Sequence, residues 1–179
     1  MDTAINEFKD RVWSHYRQSG RQFVFRFLED PYAVMVSEYM LQQTQVSRVE
    51  SAFVRFMERF PTMRVLAEAR LGEVIETWQG LGYNRRARFL HETAKILCAD
   101  HRCQVPDDHD ILVSLPGIGP NTAGAIRAFA YNSPVVFVET NVRRAILHHF
   151  FPDRDDVAER EIREHTALVL DSQHPREWY

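Results

Sequence analysis

The stretch Leu115-Pro116-Gly117-Ile118-Gly119-Pro120-Asn121-Thr122-Ala123-Gly124-Ala125-Ile126 constrains this chain more than any other. Two glycines two residues apart make a tight turn, and the small residues after it begin a helix able to pack closely. Backbone N–H groups at such a turn and helix start suit a phosphate oxygen. An ordinary corner between two helices fits the same residues, because G-x-G alone is weak. Glu139 follows in Val138-Glu139-Thr140-Asn141-Val142-Arg143-Arg144, at the head of a further helix. A phosphate-binding corner followed by a carboxylate points to chemistry on a nucleic-acid backbone.

The segments around this corner read as helices. Ile5, Phe8, Val12 and Tyr16 recur at helical spacing, and Ser19-Gly20 ends that run. Phe23 to Leu28 is short and apolar and reads as an extended connector. Asp30-Pro31 is a helix start, Asp as N-cap and Pro at the first position. The helix it opens, over roughly 31–44, is apolar nearly all round and therefore buried on most sides. Val46, Val49, Phe53, Phe56 and Phe60 repeat at three and four residues until Pro61. Leu71, Val74, Ile75 and Trp78 form a shorter helix, broken at Gly80-Leu81-Gly82-Tyr83, and Ala87, Leu90, Ala94 and Leu97 continue the theme. Helices to about Tyr131, over about 140–150 and near 158–171 complete the chain. The spacing predicts nine or ten helices and an all-α fold.

Composition narrows the class. With 179 residues and 45% hydrophobic content, one compact domain or two small lobes are within reach. A net charge of −3 weighs mildly against strong non-specific nucleic-acid binding, although charge can be segregated. Cys98 and Cys103 have no second pair, so four cysteines for a zinc or iron–sulfur site are not available in this chain. The start is acidic and polar, unlike a signal peptide, and no apolar run approaches membrane-spanning length. The expectation is a soluble protein of the prokaryotic cytoplasm, associated with the nucleoid.

Two carboxylates carry the candidate chemistry. Glu38 lies on the apolar helix, where desolvation raises a carboxyl pKa and keeps a proton near neutrality, as a general acid requires. A structural Glu paired with an arginine fits there too. Glu139, at a helix head, is favoured as an anion by the helix dipole. One protonated and one ionised carboxyl suit cleavage of a glycosidic bond through an oxocarbenium-like state. Arg85-Arg86-Ala87-Arg88 and Arg143-Arg144 offer phosphate contacts, although a charge run is more often a solvated face. Tyr83 offers a wedge between bases or a core side chain. Gln42-Gln43-Thr44-Gln45 offers amides for base edges, and an ordinary polar surface explains these residues equally well.

Taken together, Ser37 to Val46, Trp78 to Tyr83, Leu115 to Gly119 and Glu139 to Arg144 resemble the helix-hairpin-helix DNA glycosylases, most closely the MutY-type adenine glycosylases. The resemblance implies two helical lobes with a cleft between them, which receives a flipped base. One is a six-helix barrel lobe over 30–151, with the helix-hairpin-helix at about 108–131. The other is built from 1–29 and 152–179 and is expected to be completed by sequence beyond Tyr179. It also implies that Glu38 protonates the base and that Glu139 is the second catalytic carboxylate. Gln42, Gln43, Tyr83, Leu115, Gly117, Ile118, Gly119, Asn121, Thr122, Asn141 and Arg143 would contact DNA, with a monovalent cation on the carbonyls of Leu115 and Gly117.

This sequence departs from the family pattern in three places. Glu139 stands where the family has aspartate. Asn121 stands where lyase relatives of the endonuclease III type have lysine, and asparagine forms no Schiff base. The cysteines of the family's iron–sulfur cluster are not in this chain, so no cofactor is expected from it. The expected function is a monofunctional base-excision-repair glycosylase that removes adenine opposite 8-oxoguanine or guanine from double-stranded DNA, acting as a monomer. A thymine or uracil mismatch glycosylase and a non-catalytic lesion-binding module are the alternatives.

Overall fold

Helix starts and stops follow from local chemistry. The computed structural model describes residues 2–21, 23–25 and 28–179, Asp2 by its backbone alone, and contains eleven helices and no strand among them. α1 (Asp2–Ser19) ends at Gly20, whose N–H donates to the Tyr16 carbonyl at 2.8 Å. Phe23 to Phe25 and Leu28 are neither helix nor strand; Arg26 and Phe27 of the expected connector lie outside the described residues. α2 (Pro31–Leu41) starts as expected, with Asp30 Oδ1 accepting from the Tyr32 N–H at 3.1 Å.

α2 stops at Leu41, three residues before the expected end, because Gln43 takes a left-handed backbone with φ +54°. α3 (Val46–Arg59) ends one residue before Phe60. α4 (Met63–Glu68) was not expected: six residues are too few for periodicity, and its one sequence mark is the Thr62 cap, whose Oγ1 accepts from Val65 N–H. α5 (Leu71–Thr77), α6 (Arg85–Asp100), α7 (His109–Ser114) and α8 (Pro120–Tyr131) follow the expected segments. So do α9 (Thr140–Phe150) and α10 (Glu159–Val169), while α11 (Pro175–Trp178), a single turn, escaped the spacing analysis.

The chain divides into two compact units, one of residues 23–131 and one of 1–22 with 132–179. This differs from the expected division at 29/30 and 151/152. The segment 132–151 groups with the terminal helices because α9 packs on α10 and α10 on α1.

The 23–131 unit holds α2 to α8. α2 packs against α3, α6 and α8, and α6 also carries α4 and α5. Tyr39, Phe56, Phe60, Trp78, Leu90 and Leu112 are completely buried at its centre. Each such side chain contributes about 1.5–3 kcal/mol of burial free energy. In the other unit Phe8, Val138, Ile146, Phe151, Ile162 and Val169 form the core, joined by the edge of Trp178. No helix among the described residues is long and apolar enough to cross a membrane.

Candidate active site

The corner at 115–119 is a reverse turn with defined chemistry. The Ile118 N–H donates to the Leu115 carbonyl at 3.2 Å, and Gly117 between them has φ +79°. Proline at the second position and a left-handed glycine at the third are the requirements of a type II turn. Gly117 is glycine for a second reason. A Cβ there would lie 2.8 Å from Phe89 Cδ2 and 3.1 Å from Tyr39 Cε1.

Gly119 is different. It is not left-handed, and a Cβ added to it would meet nothing within 4 Å. Nothing in the described protein requires a glycine at this exposed position, immediately before α8. Its carbonyl accepts from the Ala123 N–H at 2.9 Å, so α8 begins here and directs its N-terminal dipole outward. This is the geometry that admits an approaching anion.

Side chains from α2 and α6 fasten the corner. The Tyr39 hydroxyl donates to the Pro116 carbonyl and meets Thr93 Oγ1 at 2.9 Å, and Thr93 Oγ1 is 3.3 Å from the same carbonyl. Burial pushes the Tyr39 phenol well above its ordinary value, so it remains a donor. The Gln42 amide donates to the Gly117 carbonyl at 3.1 Å and lies 3.4 Å from Thr122 Oγ1. Gln42 therefore turns its Nε2 toward the corner. A cation on the Leu115 and Gly117 carbonyls would share them with Ile118 and Gln42, which leaves one lone pair on each.

Arg86, expected either to contact phosphate or to lie on a solvated face, is instead buried, with 7% of its surface exposed. Nη1 reaches the carbonyls of Tyr39 (3.0 Å), Met40 (2.9 Å) and Gln42. Nη2 reaches Thr44 Oγ1 at 2.9 Å and the Leu81 and Gly82 carbonyls, each at 3.2 Å. α2 has no basic residue of its own in its last turn, so Arg86 supplies the cation that its C-terminal carbonyls favour. This role had no mark in the sequence, where Arg86 is one arginine among three.

Gln43 and Tyr83 follow directly on those carbonyls, and both are exposed and left-handed, with φ +54° and +48°. Tyr83 shows 66% of its surface. The core reading of Tyr83 is excluded. Glu38 is half-buried on α2, between the buried Ser37 and Tyr39.

Asn121 is exposed in the first turn of α8, and the unit of 1–22 and 132–179 carries Glu139, Asn141 and Arg143 at the head of α9. Glu139 is its exposed N-cap residue, with φ −89° and its carbonyl accepting from the Arg143 N–H at 2.9 Å. The carboxylate makes no capping bond to its own helix. Asn141 is exposed, and Arg143 is ion-paired with Glu159 of α10. Such a half-exposed pair contributes about 0–1 kcal/mol and releases its arginine easily.

The residues present do not fit a four-cysteine cluster. The two cysteines, Cys98 and Cys103, are bonded to each other at the end of α6. Among the described residues no group of three or more His, Cys, Asp or Glu side chains is placed to hold a metal.

Residues 36–169 match the HhH-GPD superfamily base excision DNA repair protein family. The chain belongs to this family, and the matched span runs from Glu38 through the corner to Glu139 and beyond. It is 43% identical over 155 residues to the adenine DNA glycosylase of Mycobacterium tuberculosis (strain CDC 1551 / Oshkosh), an alignment covering 86% of this chain and 51% of that protein. It is 49% identical over 113 residues to the adenine DNA glycosylase of Mycolicibacterium smegmatis, covering 63% and 39%. The chain thus spans about half the length of the curated relatives it matches. A structure of a thermostable thymine-DNA glycosylase superposes with a TM-score of 0.90 over 99% of this chain and 83% of its own, at 20% identity. That likeness establishes the helix-hairpin-helix glycosylase fold.

Proposed function

We propose that this chain carries the base-excising activity of an adenine DNA glycosylase. It would hydrolyse the N-glycosidic bond of adenine mispaired with 8-oxoguanine or guanine and leave an abasic site. The observation that carries this reading is a half-buried carboxyl, Glu38, on the helix that also fastens the 115–118 corner. It occurs in a sequence 43% identical to a named adenine glycosylase.

The chemistry divides between the two carboxyls. Glu38 donates a proton to the adenine ring and so makes it a better leaving group. Glu139, ionised at the head of α9, stabilises positive charge on the sugar or orients the attacking water. Glu139 is one methylene longer than the family's aspartate, and the head of α9 must absorb that length. Asn121 has no amine with which to trap the opened sugar, so the reaction ends at hydrolysis. The Gly119 corner takes a phosphate while Gln43 and Tyr83 meet the base stack, Tyr83 as the wedge. The proposed partner is a duplex bearing a mispaired base, bound by a monomer.

The test uses duplexes carrying A opposite 8-oxoguanine, A opposite G, T opposite G and U opposite G, followed by alkali. Strand breaks are expected at adenine only, and none with Glu38→Gln. Breaks at T or U alone would favour a thymine or uracil enzyme. Salt-sensitive binding without breaks would favour a non-catalytic module.

A further inference from the structure

Gln43 and Tyr83 are among the exposed residues of the 23–131 unit that hold a left-handed backbone, which is strained outside glycine. Gln43 is at φ +54° and Tyr83 at φ +48°, forty residues apart in sequence. Each immediately follows a carbonyl that accepts from Arg86, Gln42 O in one case and Gly82 O in the other. The guanidinium also lies 5.6 Å from the ring centroids of both Tyr83 and Trp78. The Trp78 indole N–H donates to the same Gly82 carbonyl at 3.2 Å. One buried planar group thus bonds the backbone before both left-handed residues and contacts the ring of one of them.

We propose that Arg86 is a positioning residue for lesion discrimination: it clips the end of α2 to the 81–82 turn and thereby presents Gln43 and Tyr83 to the duplex as one rigid probe. This rests on the reading of the chain as a mismatch-directed glycosylase. The fork is required because its two nitrogens serve different segments, Nη1 the end of α2 and Nη2 chiefly the 81–82 turn. A lysine brings the charge but not two diverging donors. Thr44 is a side-chain acceptor of the clip, and its hydroxyl also donates to Gln42 O at 3.3 Å.

Arg86→Lys and Thr44→Val are compared with the parent chain, and Thr44→Ser serves as the conservative rescue. The first readout needs no DNA. Amide hydrogen exchange is expected to quicken about tenfold or more at 42–45 and 82–84, with residues 111–119 unchanged. The second readout is the affinity ratio for A opposite 8-oxoguanine over matched duplex. That ratio is expected to fall about tenfold in both variants and recover with Thr44→Ser. In a Gln43→Ala, Tyr83→Ala background the same changes are expected to alter the ratio by less than about twofold, because the clip acts only through those residues.

Unchanged exchange at both segments would overturn the proposal, as would an equal fall of the ratio in both backgrounds. Should Arg86→Lys not fold, the Thr44 pair decides by the same two readouts. A parent chain that prefers no mismatch would refute the glycosylase reading and leave the exchange experiment to decide the clip.

Discussion

The Tyr39 hydroxyl donates to the Pro116 carbonyl, so the residue after Glu38 is bonded to the turn at 115–118. The proposed donor of the base proton and the proposed phosphate corner are therefore coupled through two adjacent positions of α2. Tyr39→Phe leaves the Pro116 carbonyl to Thr93 alone and removes one of the two partners of the buried Thr93 hydroxyl. A loss of about 1–3 kcal/mol is expected, read as a lower denaturation midpoint. Duplex affinity should fall with it, measured by titration at constant salt.

The two glycines of the corner should separate fold from function. Gly117→Ala strains a left-handed residue and drives a Cβ into Phe89 and Tyr39. It is expected to destabilise by about 1–3 kcal/mol. Gly119→Ala meets open space and should change stability by no more than about 0.5 kcal/mol. Its duplex affinity is nevertheless expected to drop about tenfold, since the added methyl would stand where the proposed phosphate contact lies. Denaturation and duplex titration on the two variants give opposite rank orders if the corner binds DNA as described.

Glu139 is the carboxylate whose length departs from the family. Glu139→Gln removes the charge and keeps the size, and single-turnover excision is expected to slow by about 10²–10⁴. Glu139→Asp restores the family residue and should excise at least as fast as the parent. Comparable rates for the parent and Glu139→Gln would remove Glu139 from the mechanism.

His91 sets a pH dependence of stability. It is buried on α6, its Nε2 lies 3.0 Å from the Ala69 carbonyl, and burial first, then Lys95, lowers its pKa from 6.5. The neutral form is thus the folded one, and the unfolded chain takes up the proton first. Its contribution is complete above about pH 6.5 and is lost as pH falls below that, levelling off once the folded form is also protonated. Denaturation midpoints between pH 8 and 5 should decline less steeply in His91→Gln than in the parent.

Much of the helical layout was readable from residues alone. Asp30-Pro31, Pro61 and the Pro-Gly corner act on their own backbone, through a fixed φ, a missing N–H or a permitted left-handed turn. The 3.6-residue repeat in α3 and α6 reports a buried face wherever that face later packs. α4 and α11 escaped because one or two turns hold too few apolar residues to repeat. The C-terminal end of α2 escaped for another reason: the left-handed backbone at Gln43 carries no mark in the sequence, and the carbonyls before it are bonded by Arg86, which is distant in sequence.

Local backbone rules and a few short motifs specify most of the helices, the corner, the family and the two candidate carboxyls. Only the tertiary structure decided that Arg86 is a buried clip and not a surface cation. It also decided that Gln42 turns to the corner, and that 132–151 groups with the terminal helices. These outcomes depend on hydrogen-bond acceptors and packing faces supplied by segments far apart in the chain. No local pattern encodes a partner forty residues away.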